Sequence, residues 1–122
     1  HRDHTTRSLD ARLERAGVDA AARGEALETL QRVGYVDDAR FAERRAQLLC
    51  ERGWGDAAIA ADLEQHGIEA EPAAAAVALL EPESERALRI AERRGPGPKT
   101  AAYLLRRGFD EDVVGPLVAA EP

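Results

Sequence analysis

Cationic side chains clustered near the end of the chain are the strongest candidates for binding chemistry. They flank a turn rich in glycine and proline: Arg93, Arg94, Lys99, Arg106 and Arg107. No acidic residue lies between positions 93 and 107, and Lys99 and Arg106 have a spacing that puts both on one helix face. Because guanidinium groups bind carboxylates and phosphates through paired hydrogen bonds, the cluster indicates an acidic or phosphate-bearing partner. The alternative is that the cluster is an ordinary surface patch that faces solvent and binds no partner.

A second candidate set lies on a predicted helix and in the turn that follows it: Arg45, Arg52 and Trp54. At roughly 100° per residue, both arginines fall inside an apolar stripe. That stripe consists of Phe41, Ala42, Leu48 and Leu49. An arginine there must extend to solvent, pair with an acid or face a partner. Trp54, the only tryptophan, either packs between helices or contributes to a contact surface.

Residues with catalytic or metal-binding potential form no recognisable site. Asp37 and Asp38 are adjacent carboxylates, but both suit the start of a helix. The three histidines are scattered, and the single cysteine, Cys50, has no nucleophile motif around it. The sequence therefore predicts no catalytic residue, no metal and no cofactor, and a protein that is not an enzyme.

The bulk composition bounds the class of protein. The 122 residues suit one domain or a short array of repeats, and 33% charged residues indicate a soluble helical protein. No apolar run approaches the roughly 20 residues that cross a membrane. A net charge of −6 argues against tight unaided binding to a phosphate backbone. With one cysteine no internal disulfide is possible, which fits a cytoplasmic location, and we expect a monomer.

An internal repeat organises the chain. Leucine, three residues, glycine, an apolar residue and an acid recur at 13–19, 63–69 and 104–110. Each copy predicts a helix, a glycine stop, an apolar anchor and a second helix. Two further helices, at about 38–52 and 83–94, bring the prediction to eight helices and no strand. The expected domains are a first repeat at 1–36, whose first helix would lie upstream of residue 1, and three-helix repeats at 37–82 and 83–122.

Local signals refine these helices. Four residues are predicted to cap helices: Thr5, Asp19, Asp56 and Asp110. We expect Leu88 and Ala91 on one inward face of their helix and Leu104 and Leu105 inward in the next. A helix start is predicted near Pro72. Pro116 is expected to kink or shorten the last helix.

The segment 34–42 joins the first repeat to the second. Gly34 can adopt a positive φ and end a helix, and Asp37 or Asp38 can accept hydrogen bonds at the start of the next one. Tyr35 and Phe41 flank this cap and are expected to pack across it. These features predict a helix–turn–helix joint and, by themselves, no chemistry.

The order of these motifs resembles the RecX family of recombination regulators. In the joint, the residues that carry the resemblance are Gly34, Tyr35, Asp37, Asp38, Arg40 and Phe41. The turn at 52–55, the glycine stop at 63–68 and the segment 104–109 continue it, so that it spans about residues 5–119. The resemblance implies an all-α array of three-helix repeats that binds the RecA recombinase filament on single-stranded DNA and restrains its ATPase and strand exchange, without being an enzyme.

Two departures bear on DNA contact. Gln47, Leu49 and Glu51 stand where the family often has basic residues, and we expect the first repeat to lack its first helix. The resulting hypothesis is an elongated all-α repeat protein that regulates a RecA-type filament, with weak direct DNA contact possible. The alternatives are a helix-turn-helix module that binds nucleic acid directly and a helical scaffold for another protein.

Overall fold

The structure, a computed structural model, describes residues 5–34 and 36–119, with side chains to residue 117. Within these ranges the chain forms eight α-helices and no strand, as predicted. They are α1 (Thr6–Arg15), α2 (Ala20–Arg32), α3 (Asp38–Glu51), α4 (Asp56–Gln65), α5 (Ala70–Ala78), α6 (Glu83–Arg94), α7 (Pro98–Arg106) and α8 (Glu111–Ala119). None of them is long and apolar enough to cross a membrane.

The helices pack in three groups. α1 packs on α2, the helices α3, α4 and α5 pack on one another, and α6, α7 and α8 do the same. We call these groups the first, second and third units. The domain limits at 36/37 and 82/83 stay a prediction.

Two apolar cores lie inside the second and third units. Ile59 and Leu63 are fully buried in the second, among small residues such as Ala42 and Ala46. Leu104 is fully buried in the third, with Phe109 and Val114 around it. Alanine at the contact positions lets the helix backbones approach closely, which suits a sequence with 4% aromatic residues.

The repeated glycine stop has the same geometry in every copy. Gly17, Gly67 and Gly108 have φ values of +89°, +84° and +92°. The apolar residue after each glycine donates its N–H to the carbonyl of the repeated leucine at 3.0 Å. This is the Schellman ending of a helix, in which glycine is favoured because a Cβ strains the left-handed backbone. One motif therefore ends α1, α4 and α7 and starts the turn to the next helix.

The two adjacent acids of the joint at 34–42, Asp37 and Asp38, accept hydrogen bonds from different helices. Gly34 has φ +80°, and Asp37 caps α3 by accepting the N–H of Arg40 at 3.0 Å. Asp38 instead accepts the N–H of Thr6, the first residue of α1, at 2.9 Å. Phe41 packs on the core of the second unit, whereas Tyr35 lies outside the described residues. Asp38 therefore ties α3 to the first unit.

Several local predictions are confirmed. Thr5 and Asp19 accept the N–H groups of Ser8 and Ala22, and Asp110 accepts that of Asp112. The kink or shortening expected at Pro116 is not confirmed: α8 continues past Pro116 to Ala119, and a kink stays a prediction.

Other local predictions are wrong. Gly55, not Asp56, is the capping residue of α4, and α5 starts at Ala70 rather than near Pro72. Leu88 and Leu105 are 46% and 45% exposed, because the inward faces of α6 and α7 are set by their neighbours in the third unit. The buried residues of these helices are Arg86, Ala87, Ile90, Thr100 and Leu104.

Candidate functional site

The second and third units meet backbone to backbone. Gly55 donates its N–H to the carbonyl of Arg107 at 2.7 Å, and Ala57 donates to that of Gly108 at 3.2 Å. A Cβ on Gly55 would come within 2.4 Å of the Gly108 backbone, and one on Gly108 within 2.6 Å of the Ala58 Cβ. Only glycine permits this approach, so the two glycines determine how closely the units dock.

A buried arginine reinforces this contact. Arg86 of α6 is 5% exposed and donates to Oδ1 of Asp56, at the start of α4, from both terminal nitrogens. Glu83 accepts the backbone N–H of Asp56 at 2.7 Å. Burial raises the pKa of Asp56, whereas the Arg86 charge acts in the opposite direction. The sequence prediction missed Arg86. A repeated pattern in the sequence could have found it. Arg45-Ala46 is followed by Leu49, and Arg86-Ala87 is followed at the same spacing by Ile90; Leu49 and Ile90 are both buried.

Arg107 connects the two sets of residues predicted to bind a partner. Its guanidinium lies 3.7 Å from the centroid of the Trp54 ring, within the range of a cation–π contact. It also donates to the carbonyls of Arg52 and Gly53, at 2.5 and 3.4 Å. Arg107 therefore holds the third unit on the turn of the second, and its guanidinium has partners within the chain.

The aromatic contacts continue along the third unit. The guanidinium of Arg94 lies 3.7 Å from the centroid of Tyr103, and that of Arg107 lies 5.6 Å from the same ring. Cationic and aromatic groups thus alternate across the two units in the order Arg94, Tyr103, Arg107 and Trp54. We call these four residues the cation–aromatic row.

Arg45 pairs with an acid of its own unit. Its Nε and Nη2 donate to the two carboxylate oxygens of Asp62 at 2.8 and 2.9 Å. These hydrogen bonds lower the pKa of Asp62 and raise that of Arg45. Both residues line a shallow groove that Trp54 also borders. Of the alternatives open for Arg45, the structure shows pairing.

The other predicted partner-binding residues have exposed side chains. They are Arg52, Arg93, Lys99 and Arg106. Contact between Trp54 and Arg107 brings together one residue from each of the two predicted sets, although the two residues are far apart in sequence. Whether a partner uses these residues stays a prediction.

The described residues contain no cluster of three or more groups suited to a metal ion. His66, the C-cap residue of α4, lies against Phe41, with their ring centroids 5.4 Å apart. Cys50 is partly buried, and burial raises the pKa of its thiol, which disfavours the nucleophilic thiolate. His1 and His4 lie outside the described residues.

Comparison with known proteins identifies the family. The chain is 34% identical over 123 residues to the regulatory protein RecX of Stenotrophomonas maltophilia (strain R551-3), covering 93% of this chain and 76% of that protein. A RecX of Xanthomonas campestris pv. campestris (strain B100) is also 34% identical, over 89% of this chain and 74% of that protein. This chain belongs to the RecX family. The model of "RecX, second three-helix domain" matches residues 37–77, which include the whole of α3 and α4.

Solved RecX structures share the fold. The crystal structure of RecX from Lactobacillus salivarius superposes with a TM-score of 0.84 at 18% identity, covering 98% of this chain and 86% of that one. A second RecX crystal structure gives 0.80 at 19% identity, over 99% of this chain and 66% of that one. The resemblance noted in the sequence is therefore confirmed, and the chain is a member of a family of regulatory proteins with an all-α repeat fold.

Proposed function

We propose that this RecX-family chain binds a RecA-type recombinase filament on single-stranded DNA and modulates its ATPase and strand-exchange activity. The observation that carries the proposal is family membership, because relatives matched over most of their length are named regulatory proteins. The chain acts by binding and not as an enzyme. It works in the cytoplasm as a monomer.

The surface geometry supports a binding role. Trp54, at one end of the cation–aromatic row, borders the groove at Arg45, and Arg94 forms the other end of the row. Aromatic and arginine side chains are the groups most often enriched at energetically important interface positions. Lys99 and Arg106 provide charge that attracts an acidic or phosphate-bearing surface.

The mechanism follows from the tandem arrangement. Successive units present similar helix–turn–helix joints, so one chain can contact more than one protomer of a filament. Each further contact is intramolecular once the first has formed, and this raises the overall affinity without new chemistry. Bridging protomers or occupying the filament groove would alter filament growth and turnover.

Co-sedimentation tests the proposal. The chain is mixed with preformed RecA filaments on single-stranded DNA, with RecA alone and with DNA alone, and ATP hydrolysis is followed in parallel. We expect the chain to pellet with the filament and to change the ATPase rate. No pelleting above the DNA-alone sample, with an unchanged ATPase rate, would contradict the proposal.

A direct nucleic-acid-binding module is the second candidate. The contacts Arg94–Tyr103 and Arg107–Trp54 favour it, because aromatic and arginine faces also stack on unpaired bases. The net charge of −6 disfavours it. Strong binding to naked single-stranded DNA that falls steeply with salt would favour this candidate. A folded chain that binds neither DNA nor the filament would favour a scaffold for another protein.

A further inference from the structure

A groove lies at each of the two contacts between units, which we call the first joint (first and second units) and the second joint (second and third units). At both joints an acid that begins a helix of the following unit accepts the N–H of the residue that begins a helix of the preceding one. Asp38 accepts from Thr6 at 2.9 Å, and Glu83 accepts from Asp56 at 2.7 Å. Each pair lines the groove at its joint, so the two grooves hold the same place in the repeat.

Other positions of the repeat also line both grooves. They are the stop glycine of the following unit, the acid two residues after it, and the apolar residue ten positions after the stop glycine of the preceding unit. The repeat therefore supplies both grooves with acidic and apolar side chains. These residues are Gly67, Glu69 and Leu27 at the first joint and Gly108, Asp110 and Val77 at the second.

The second residue of α1 and of α4 makes the two grooves different. At the first joint it is Arg7, which lines the groove and donates to the carbonyl of Gln65 at 3.3 Å. Its side chain lies so close to Gly67 that a Cβ there would be 2.3 Å from the Arg7 Cδ. At the second joint the same position is Ala57, whose N–H bonds directly to the carbonyl of Gly108. The first groove thus contains an arginine of the chain itself, and no cation is among the described residues that line the second.

The lining of the second groove is mostly apolar. The groove has a volume of about 470 Å³, and small side chains of α4 and α5 form more than half of its lining. An aliphatic chain can pack against such a surface without burying a polar group of the protein. The apolar lining residues are Ala57, Ala60, Ala74, Val77 and Ala78.

The charge of the second groove is negative. Of its three acids, Asp56 is paired with Arg86 at 2.5 Å, whereas Glu83 and Asp110 have no cationic partner among the described residues. Each of these two carboxylates accepts one backbone N–H, which leaves its second oxygen available. The acidic first turn of α8, at 111–112, adds to the negative charge. The groove therefore matches a side chain that has an aliphatic stem and a cationic end, as arginine and lysine do.

We propose that the second groove is a docking site for an arginine or lysine side chain from a basic segment of the recombinase. The stem packs on the small residues of α4 and α5, and the charged end pairs with Glu83 and Asp110. Arg7 supports this occupant, because the chain itself places an arginine at the equivalent position of the first joint. The inference rests on the proposed function and adds a contact surface whose charge is opposite to that of Lys99 and Arg106.

Two double substitutions that each remove two negative charges test the docking site. Glu83→Gln/Asp110→Asn keeps the oxygens that accept backbone N–H groups, so the variant should melt near the wild-type temperature. Glu111→Gln/Asp112→Asn is the matched control, because both acids are exposed and neither lines the groove. In co-sedimentation the first variant should bind the filament about tenfold more weakly, and the control no more than about threefold. Equal losses would overturn the docking site in favour of a diffuse acidic field, and full binding by the first variant would overturn it as well.

Ala57→Arg tests the same groove by giving it the arginine that the first groove has. The side chain of Ala57 is exposed, so the variant should fold. The added guanidinium should compete with the partner's cation and weaken filament binding about tenfold, whereas Ala22→Arg, the same change at an exposed residue of α2, should bind as the wild type does. Undiminished binding by folded Ala57→Arg would overturn the inference, while binding by the wild type would still uphold the proposed function. A wild-type chain that does not pellet with the filament would overturn both.

Photo-crosslinking identifies the occupant. A p-benzoylphenylalanine is placed at Ala78, an exposed residue of the groove lining. We expect a crosslink to the recombinase, mapped by mass spectrometry to a segment that contains arginine or lysine. A crosslink to DNA, to a second copy of this chain or to an acidic segment of the recombinase would overturn the inference. Absence of any crosslink in a sample that pellets with the filament would do so too.

Discussion

At the scale of residues, some arginines make contacts that stabilise the fold, and others have exposed side chains that a partner could contact. Arg86 and Arg107 join the second and third units, and Arg45 pairs inside the second. Arg93 and Arg106 have exposed side chains. An arginine-rich composition is thus compatible with an acidic protein, because several guanidinium groups are used in internal contacts.

Asp62→Asn tests the pair with Arg45 through the pH dependence of stability. The pKa of Asp62 is lower in the folded chain than in the unfolded one, so the pair stabilises the fold above the unfolded value of about 4 and is lost as pH falls through the folded value. Urea unfolding should show the variant about 1 kcal/mol less stable at pH 7.

The difference in unfolding free energy between the wild type and Asp62→Asn should shrink at about pH 3. Glu64→Gln, an exposed acid on the same helix, serves as the control. A difference in unfolding free energy that is constant from pH 7 to pH 3 would contradict a stabilising ion pair between Asp62 and Arg45.

Asp37→Ala and Asp38→Ala separate the roles of the adjacent acids. Asp37→Ala removes the cap of α3 and should cost about 1 kcal/mol of unfolding free energy. Asp38→Ala removes the acceptor for Thr6 and should increase hydrogen exchange at the start of α1. Calorimetry with divalent ions should show no saturable binding in the wild type. Saturable binding that both substitutions abolish would identify the pair as a metal site instead.

At the scale of elements, the glycine turns determine both where helices end and how units dock. Gly17 and Gly108 have nearly the same φ, yet only Gly108 has a neighbour where its Cβ would lie. The glycine motif therefore only ends a helix at Gly17, whereas at Gly108 it also contacts the neighbouring unit.

Substituting alanine for Gly17 and for Gly108 separates the role of glycine in ending a helix from its role in the contact between units. Gly17→Ala should cost about 1–2 kcal/mol through backbone strain alone. Gly108→Ala should cost more, because its Cβ would also displace Ala58. Chemical denaturation of both variants provides the comparison. Equal destabilisation would show that the close approach of Gly108 to Ala58 contributes nothing.

Local signals were enough to predict the helices, and contacts between helices were not. Thr5, Asp19 and the repeated glycines act within a few residues, so their caps and stops were predictable. Leu88, Leu105 and Arg86 depend on which face of a helix meets its neighbours. Arg86 is buried because it pairs with Asp56, thirty positions earlier, and periodicity within one helix cannot predict that contact. The cation–aromatic row is likewise a product of tertiary contacts, since Trp54 and Arg107 are distant in sequence.

At the scale of the whole molecule, two joints with the same chemistry link three units of helices. In each joint an acid at the start of one helix accepts the backbone N–H at the start of another, and the second joint adds the cation–aromatic row. The third unit also carries the exposed cations Arg93, Lys99 and Arg106. This arrangement connects the RecX family fold to the proposed filament binding.

The most direct test of filament binding through this surface is co-sedimentation of Lys99→Glu/Arg106→Glu with RecA–single-stranded-DNA filaments over a range of salt. Arg12→Glu/Arg15→Glu, with the same charge change on exposed residues of α1, is the control. We predict that the first variant stays folded and loses most of its filament affinity at low salt, and that the loss shrinks as salt rises because screening already weakens the wild type. The control should bind as the wild type does. Unchanged affinity of the folded Lys99→Glu/Arg106→Glu variant would contradict the account.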